Sequence, residues 1–368
     1  MSSTRYVTFV ACAPRLERLL DGELDRVGVA GRRERARGGV ELTVTREELW
    51  RLAHELRVAD SLRVRVARVH APDFDALQAG LRRVAWAAWL PRGSRPEVSV
   101  SCHRSALYHS DAVAERVSAT IEEAWRGGGD AAARAARVYV RIVNDVAAVS
   151  VDASGELLHR RGVRRKVGDA PLRETLAAAV LQAGGVADAP LLVDPFCGSG
   201  ALLVERALAA GGVRLPRSFA FELWPSHDAA AYAAQLGALR APAVPAGLRL
   251  IGSDRDPRAI DAARANLAEL GAGPEVSLAV MDVEAALRAA PAGAAIVSNP
   301  PWGRRVAPVT LQAVYRNLRA GLSARRDLGP IVMLTGDPGF ERAVGGRWTP
   351  VLELHDGGLP VRVLRRDR

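Results

Sequence analysis

The spacing of apolar residues divides the chain into two regions of different character. In the first region, runs in which apolar and polar residues alternate, such as residues 62–69, are separated by stretches with helical spacing, such as Leu16, Leu20 and Leu24. Alternation with a period of two indicates half-buried strands, and a period of three to four indicates amphipathic helices. We therefore predict α+β structure, with strands at 6–10, 40–44, 62–69, 97–102, 137–143 and 146–151 and helices at 14–28, 45–56 (capped by Thr45), 73–89 and 110–125.

From about residue 175 onward, apolar strands alternate with amphipathic helices. This alternation is typical of a doubly wound α/β architecture, in which a parallel sheet carries helices on both faces. The turn Asp356-Gly357-Gly358 predicts an antiparallel hairpin formed by residues 351–355 and 359–364 at the sheet edge. The predicted strands are 191–194, 248–254, 276–282, 294–298 and 331–335, and the predicted helices are 175–183, 200–210, 257–270 and 310–321.

Composition limits the class of protein. The chain has 368 residues, of which 49% are hydrophobic and 25% charged, so we expect two or three folded domains. No apolar run is long enough to span a bilayer and the start lacks a signal-peptide pattern, which predicts a cytoplasmic protein without a membrane partner. Cys12, Cys102 and Cys197 lie far apart, so neither a metal site nor a disulfide framework is expected, and no obligate protein partner is evident.

The charge balance favours a polyanionic partner. The formal net charge is +10 with a pI near 10.5, and most of the excess lies before residue 175. Residues 158–174 form a predicted basic linker, with no acidic side chain between Glu156 and Asp169. Because Lys166 is the only lysine, the abundance of Ala, Arg, Gly and Val also fits the usage of a GC-rich genome, which by itself raises the arginine content.

A glycine-containing motif follows the first strand of the second region. It reads Asp194-Pro195-Phe196-Cys197-Gly198-Ser199-Gly200. In a doubly wound sheet, ligands bind at the carboxyl ends of the strands, where Gly198 and Gly200 allow close approach of the backbone. Asp194 is placed to meet the cationic end of S-adenosylmethionine. The third glycine of the dinucleotide fingerprint is missing, which disfavours a nicotinamide-dependent dehydrogenase. The sequence contains no phosphate-binding loop with a Gly-Lys-Ser/Thr ending, which disfavours ATP-driven chemistry.

Aspartates also follow the next two predicted strands. Asp254 is placed to accept hydrogen bonds from both ribose hydroxyls of the cofactor, and Asp282 from its adenine amino group. Any one such aspartate is more often a helix cap. Three aspartates at the ends of successive strands are harder to explain by capping alone.

The tetrapeptide Asn299-Pro300-Pro301-Trp302 follows the strand predicted at 294–298. An amide oxygen and a proline-stiffened backbone carbonyl can accept hydrogen bonds from an exocyclic amino group, while the aromatic ring stacks on the base that carries it. Together with the glycine motif, this pattern predicts a methyltransferase that acts on a planar amino group. The alternative is a turn stiffened by two prolines.

These motifs resemble those of the THUMP-domain RNA guanine-N2 methyltransferases. The resemblance rests on residues 194–200, 252–254, 298–302 and the segments 161–164 and 170–177. Residues 219–225 are similar to an insert of the bacterial branch that acts on large-subunit ribosomal RNA. The chain departs from the family pattern at Ala201, where many relatives have Thr, and at Trp302, where Tyr is commoner.

The resemblance implies a domain plan and a set of site residues. Residues 1–59 would form a ferredoxin-like domain, 60–157 a THUMP RNA-binding domain, 158–174 the linker, and 175–368 a Rossmann-like class I methyltransferase domain that uses S-adenosylmethionine. The cofactor site would comprise Asp194, Phe196, Gly198, Gly200, Asp254, Asp282 and Asn299. The catalytic set would be Asn299, Pro300, Pro301 and Trp302. Cationic and aromatic side chains that suit phosphate contact and base stacking mark candidate RNA contacts at His103, Arg104, Tyr108, Arg160, Arg161, Arg164 and Arg165; the alternative is a solvated charged face or an ordinary linker.

Several alternatives stay open at this point. The substrate is expected to be structured RNA, with 23S rRNA favoured, but the same fold acting on tRNA, or on adenine in DNA, would use the same acceptor groups. A different class of protein is an RNA-binding assembly factor whose catalytic site has decayed. The presence of Gly198, Gly200, Asp254 and Asn299 argues against decay.

Overall fold

The computed structural model separates the chain into two compact units. The N-terminal unit comprises residues 1–13, 24–158 and 217–238, and the C-terminal unit comprises 14–23, 159–216 and 239–368. The structure describes residues 4–125, 136–164, 166, 172–209, 214–239, 246–271, 275–302 and 308–367.

One seven-stranded sheet forms the centre of the N-terminal unit. Its strand order is β2-β3-β1-β4-β7-β6-β5, and the neighbours are antiparallel except for β5 and β6, which run parallel. The strands are β1 (Arg5–Cys12), β2 (Arg33–Ala36), β3 (Gly39–Thr45), β4 (Ala59–His70), β5 (Pro96–His103), β6 (Ala136–Val143) and β7 (Val146–Asp152). The helices of this stretch of chain are α1 (Glu17–Val27), α2 (Arg46–Glu55), α3 (Phe74–Arg82) and α4 (Ser110–Trp125).

The predicted elements of this region are mostly confirmed, with two corrections. The Thr45 cap of α2 is confirmed, because its hydroxyl accepts from the Glu48 N–H at 3.1 Å while the Glu48 carboxylate accepts from the Thr45 N–H at 2.7 Å. The helix predicted at 73–89 ends at Arg82, and the indole N–H of the buried Trp86 turns back to the carbonyl oxygen of Leu81 at 2.9 Å. Strand β2 was not predicted, because its sequence Arg-Glu-Arg-Ala contains no apolar alternation.

Residues 217–238 join the core of the N-terminal unit although they are flanked in sequence by the C-terminal unit. The Phe219 and Phe221 rings stack with centroids 5.3 Å apart, and Phe221 is fully buried. Helix α7 (Ala229–Leu236) contributes Tyr232, whose hydroxyl lies 3.0 Å from Nε2 of His54 in α2. This aromatic insert therefore completes the hydrophobic core beside α2.

The C-terminal unit is built on a second seven-stranded sheet, ordered β10-β9-β8-β11-β12-β14-β13. The five strands from β10 to β12 are parallel, and β14 and β13 form the predicted antiparallel edge hairpin. The strands are β8 (Leu191–Asp194), β9 (Arg249–Asp254), β10 (Val276–Val280), β11 (Ala295–Ser298), β12 (Ile331–Thr335), β13 (Trp348–Asp356) and β14 (Leu359–Arg366). The helices are α5 (Glu174–Ala183), α6 (Ala201–Leu208), α8 (Pro257–Ala268), α9 (Val283–Ala289), α10 (Pro308–Ser323) and α11 (Phe340–Val344).

Helices cover both faces of this sheet, which confirms the doubly wound prediction. Val297 of β11 packs in a core with residues of α5, α6 and α8, whereas the preceding Ile296 packs in a second core with α9, α10 and α11. Helices α9 and α11 were not predicted, because seven and five residues are too few to show a clear helical period. No helix among the described residues combines the length and apolar character needed to cross a membrane.

Candidate functional site

The strand order reverses at β8, which lies between β9 and β11. Helices that follow adjacent strands there leave for opposite faces, so a crevice opens at the carboxyl ends of the strands. A cleft of about 1390 Å³ lies at this position, lined by Asp194, Asp254 and Asn299 among others. Sites for one small ligand typically occupy roughly 300–1,000 Å³. The cleft is therefore larger than a usual site for one small ligand.

Asp194 lies at the floor of the crevice and is 1% exposed. Its Oδ1 accepts hydrogen bonds from the Ser298 hydroxyl at the end of β11 and from the Phe196 N–H at 3.1 Å. Burial raises the pKa of Asp194 to about 7; the two hydrogen bonds oppose this rise, and the nearby Asp254 carboxylate adds to it. A cation bound beside Asp194 would stabilise its charged form.

The glycine motif forms the wall next to Asp194. Gly198 has φ +52°, and a Cβ placed there would meet no atom within 4 Å. Gly200 has φ +83°, and its Cβ would lie 3.4 Å from the Cβ of Ala263 in α8. Left-handed backbone favours glycine at both positions. Gly198 thus leaves the cleft open, while Gly200 allows α6 to approach α8.

Asp254 connects the glycine loop to the end of β9. Its Oδ2 accepts from the Gly198 N–H at 3.0 Å, and its Oδ1 accepts from the Asp256 N–H at 3.0 Å. The side chain is half-buried and lines the cleft. A carboxylate oxygen can accept more than one hydrogen bond, so both oxygens keep capacity for a diol.

Asp282 is a helix cap that also lines the cleft. Its Oδ1 accepts from the Ala285 N–H at 3.0 Å at the start of α9, and the residue is exposed. The capping role that the sequence offered as the alternative is therefore present. A role toward a ligand at the cleft stays a prediction for this residue.

The loop Asn299–Trp302 extends from β11 into the same cleft. Asn299 Oδ1 accepts from the Trp302 indole N–H at 2.9 Å. The Tyr315 hydroxyl donates to the carbonyl oxygen of Pro301 at 3.4 Å, and a Cβ at Gly336 would lie 2.6 Å from the Trp302 ring. Tyr315 in α10 and Gly336 after β12 belong to other elements than this loop. Neither is part of a recognisable sequence motif.

Two described arginines of the basic segment before α5 are buried in ion pairs. Arg161 and Glu205 of α6 form an ion pair at 3.2 Å with side chains 1% and 0% exposed. The Arg164 side chain, 3% exposed, lies 3.4 Å from Glu174 of α5. The predicted RNA contacts of Arg161 and Arg164 are wrong, because buried and paired guanidinium groups do not reach a phosphate. Arg160 is exposed, and Arg165 lies outside the described residues.

The predicted RNA contacts of the N-terminal unit lie at the end of β5 and on the exposed loop that follows it. Tyr108 is 68% exposed, and its ring centroid is 4.0 Å from that of His109. The Ala106 N–H donates to the Asp145 carboxylate at 2.7 Å, which holds the loop in place. Arg104 has a left-handed backbone conformation with φ +49°. His103 and Arg104 are exposed as well. His103, the last residue of β5, and Arg104 and Tyr108 in the loop that follows are therefore all exposed.

The chain is similar to known methyltransferases over most of its length. It is 32% identical over 98% of its residues to "Ribosomal RNA large subunit methyltransferase K/L" of Syntrophotalea carbinolica, of which it covers 53%. A similar enzyme of Methylococcus capsulatus with the same name is 33% identical over 98% of this chain and 51% of its own length. The chain thus spans about half the length of these curated relatives.

The chain is also similar to solved structures and to a family model. A predicted N6-adenine-specific DNA methylase from Listeria monocytogenes matches with a TM-score of 0.83 and 24% identity, over 98% of this chain and 96% of that one. SMU.472, a putative methyltransferase complexed with SAH, matches with a TM-score of 0.83 and 23% identity over 100% of both chains. Residues 161–360 match the model of the UPF0020 family, "RMKL-like, methyltransferase domain". With this match and the identity to the K/L enzymes, the chain belongs to the RMKL-like methyltransferase family.

Proposed function

We propose that this chain transfers a methyl group from S-adenosylmethionine to N2 of a guanine in large-subunit ribosomal RNA. The observation that carries the proposal is the placement of the Asn299–Trp302 loop and the glycine motif in one cleft, at the carboxyl ends of adjacent strands. The names of the K/L relatives support the RNA substrate, and the SAH bound to SMU.472 supports the cofactor.

The cofactor would occupy the side of the cleft formed by β8, β9 and the start of α9. The open space at Gly198 leaves room for it, and its cationic amino-acid end would meet Asp194. Asp254 would accept from its ribose hydroxyls and Asp282 from its adenine amino group. Phe196, Gly200 and Asn299 would complete the predicted contacts.

The acceptor guanine would lie against the loop from Asn299 to Trp302. Asn299 Oδ1 and the Pro300 carbonyl would accept from the N2 amino group, and the free face of Trp302 would stack on the flipped base. S-adenosylmethionine supplies an electrophilic methyl group on a sulfonium leaving group. Asn299 Oδ1 and the Pro300 carbonyl would hold N2 with its lone pair toward that methyl group, and the proton that N2 loses after transfer would pass to water. Alignment of these atoms is therefore the main catalytic contribution of the protein.

The N-terminal unit would supply RNA affinity. We assign residues 1–59 to a ferredoxin-like domain and 60–157 to a THUMP domain, although their strands share one sheet. The exposed Tyr108 ring suits stacking on an unpaired base, and the exposed Arg104 suits contact with a phosphate. The exposed Arg160 would add a cation in the linker of residues 158–174.

A second candidate is methylation of an adenine amino group. One similar structure is described as a predicted N6-adenine-specific DNA methylase, and adenine N6 would satisfy the same two acceptors. Methylation of tRNA guanine is a third candidate with the same chemistry.

Nucleoside mass spectrometry of a deletion strain separates these candidates. Hydrolysed large-subunit rRNA, tRNA and genomic DNA are compared with the parent strain and with a strain complemented by the wild-type gene. We expect loss of one N2-methylguanosine from the rRNA. Unchanged rRNA together with loss of N2-methylguanosine from tRNA, or of N6-methyladenine from DNA, would overturn the proposal in favour of that substrate.

Asp254→Ala is expected to weaken S-adenosylmethionine binding while leaving RNA affinity unchanged. Loss of charged hydrogen bonds to the ribose costs about 1.5–3 kcal/mol, which is roughly a tenfold to hundredfold rise in Kd. Calorimetry measures the Kd, with Asp261→Ala as the matched control because that side chain on α8 is 73% exposed and pairs with Arg264. A cofactor Kd equal to that of the control would remove Asp254 from the site.

Tyr108→Ala combined with Arg104→Gln is expected to reduce RNA affinity and flatten its dependence on salt. One phosphate contact fewer lowers the slope of log K against log salt by about 1. Binding of the rRNA fragment is measured by filter retention between low and moderate salt. Arg347→Gln, an exposed arginine of the C-terminal unit, is the control. A double variant with the control's slope would show that this loop does not contact RNA.

A further inference from the structure

The side-chain amide of Asn299 is held by a donor from its own loop. The Trp302 indole N–H donates to Asn299 Oδ1 at 2.9 Å, three residues further along the chain. An indole carries one donor and no acceptor, so it bonds only the oxygen end of the amide. The contact thus determines which end of Asn299 is oxygen and which is nitrogen.

Amide orientation matters to a group that must recognise an amino substituent. If the amide of Asn299 rotates by 180° about its last torsion, it presents Nδ2–H in place of Oδ1. Two N–H donors would then face each other, and the acceptor amino group would be repelled. With Oδ1 fixed by Trp302, its second lone pair stays available for the N–H of the base, while Nδ2 is free to donate to a neighbouring ring nitrogen.

Gly336 makes room for the indole in this position. A Cβ at Gly336 would lie 2.6 Å from Cζ3 and 2.7 Å from Cε3 of Trp302. The backbone at Gly336 does not have a positive φ, so the absence of a side chain serves the contact with the ring and not the backbone conformation. The indole ring of Trp302 therefore fits in this position because Gly336, directly after β12, has no side chain.

We propose that Trp302 is a positioning residue whose indole N–H locks Asn299 with its oxygen toward the acceptor amino group, and that Gly336 is the space this lock requires. The inference rests on the proposed methylation of an amino group. It assigns to Trp302 a role distinct from stacking, because a phenyl ring stacks as well but has no donor. It also gives Gly336 a role in the active cleft.

The first test is a double-mutant cycle between positions 302 and 299, measured as the single-turnover methylation rate. Trp302→Phe keeps an aromatic face and removes the N–H, and we expect a roughly 3- to 10-fold lower rate, the worth of one hydrogen bond. In an Asn299→Asp background the two carboxylate oxygens are equivalent, so rotation no longer matters. There Trp302→Phe is expected to change the rate by less than about twofold. The same loss in both backgrounds would reduce Trp302 to packing and overturn the proposal.

The second test keeps every reacting group and displaces the ring. Gly336→Ala is expected to slow methylation by the same roughly 3- to 10-fold, with cofactor affinity unchanged. Because a phenyl ring lacks the atoms that the new Cβ would meet, Trp302→Phe/Gly336→Ala is expected to be no slower than Trp302→Phe alone. Additive losses in the double variant would contradict a shared mechanism. The control is Val280→Ala, a substitution in the same unit at a side chain that is 56% exposed at the end of β10.

The third test needs no turnover. In the ¹H–¹⁵N spectrum of the free protein, the Trp302 indole resonance is assigned by its loss in Trp302→Phe. We expect slow hydrogen exchange at this N–H, and a shifted, faster-exchanging signal in Asn299→Ala. An unchanged signal would overturn the proposal. If wild-type protein methylates neither RNA nor DNA but this signal responds as expected, the proposed function fails while the contact stands.

Discussion

Asn299→Ala is expected to lose most of the methylation rate while keeping cofactor and RNA affinity near wild type. The amide aligns the N2 amino group inside the bound complex, so its loss affects the transition state more than binding. Removal of one preorganised polar group from an active site typically costs roughly 100- to 1,000-fold in rate. The Pro300 carbonyl remains as the second acceptor, so a low residual rate is expected. The measurement is the single-turnover rate on an RNA that the wild type modifies.

An RNA with inosine in place of the target guanine provides the matched control on the substrate side. Inosine lacks the N2 amino group, so the wild-type enzyme is expected to add no methyl group at that position. Methylation of the inosine RNA, or an Asn299→Ala rate equal to wild type, would show that the amino group is not recognised in the way proposed. The inosine result tests whether N2 is the acceptor atom, and the Asn299→Ala result tests whether Asn299 positions it.

Arg161→Gln is expected to destabilise the protein strongly. The substitution leaves the fully buried Glu205 carboxylate without its guanidinium partner, and removing one member of a buried pair costs about 3–5 kcal/mol. Urea unfolding followed by circular dichroism measures the change in the free energy of unfolding. Arg326→Gln, an exposed arginine after α10 in the same unit, is the matched control and should stay within about 0.5 kcal/mol. Equal stability of the two variants would show that the Arg161–Glu205 pair adds nothing.

This result would also change how the basic segment is tested for RNA binding. A variant in which all of its arginines become glutamine would lose affinity through unfolding, since Arg161 and Arg164 are buried. Arg160, which is exposed, is a more suitable position in this segment than either buried arginine.

The features that could be predicted correctly from the sequence are those that local periodicity determines, namely the strands and the residues at their ends. The parallel strands that end at Asp194, Asp254 and Ser298 were visible as apolar runs, and their carboxylates and glycines mark the edge where a ligand binds. The placement of Asn299 beside this edge follows from the same pattern, because adjacent parallel strands end on the same side of a sheet. The existence and the location of the cleft could therefore be predicted.

Contacts between distant positions could not be predicted in this way. Arg161 stands in a run without acidic neighbours, and its partner Glu205 lies more than forty residues later in α6. The space at Gly336 and the contact of Tyr315 with Pro301 likewise join separate elements. Local charge and local spacing contain no information about such pairs, so an internal ion pair resembled a surface patch.

The aromatic insert of residues 217–238 has a consequence for synthesis on the ribosome. Residues up to 158 supply all seven strands of the N-terminal sheet, yet Trp50 and His54 contact rings that are translated only later, in residues 219–232. At about 5–20 residues per second, the eighty residues from 158 to 238 take roughly 4–16 s to make. During that interval the side chains of α2 that contact these rings are without their cover in the nascent chain.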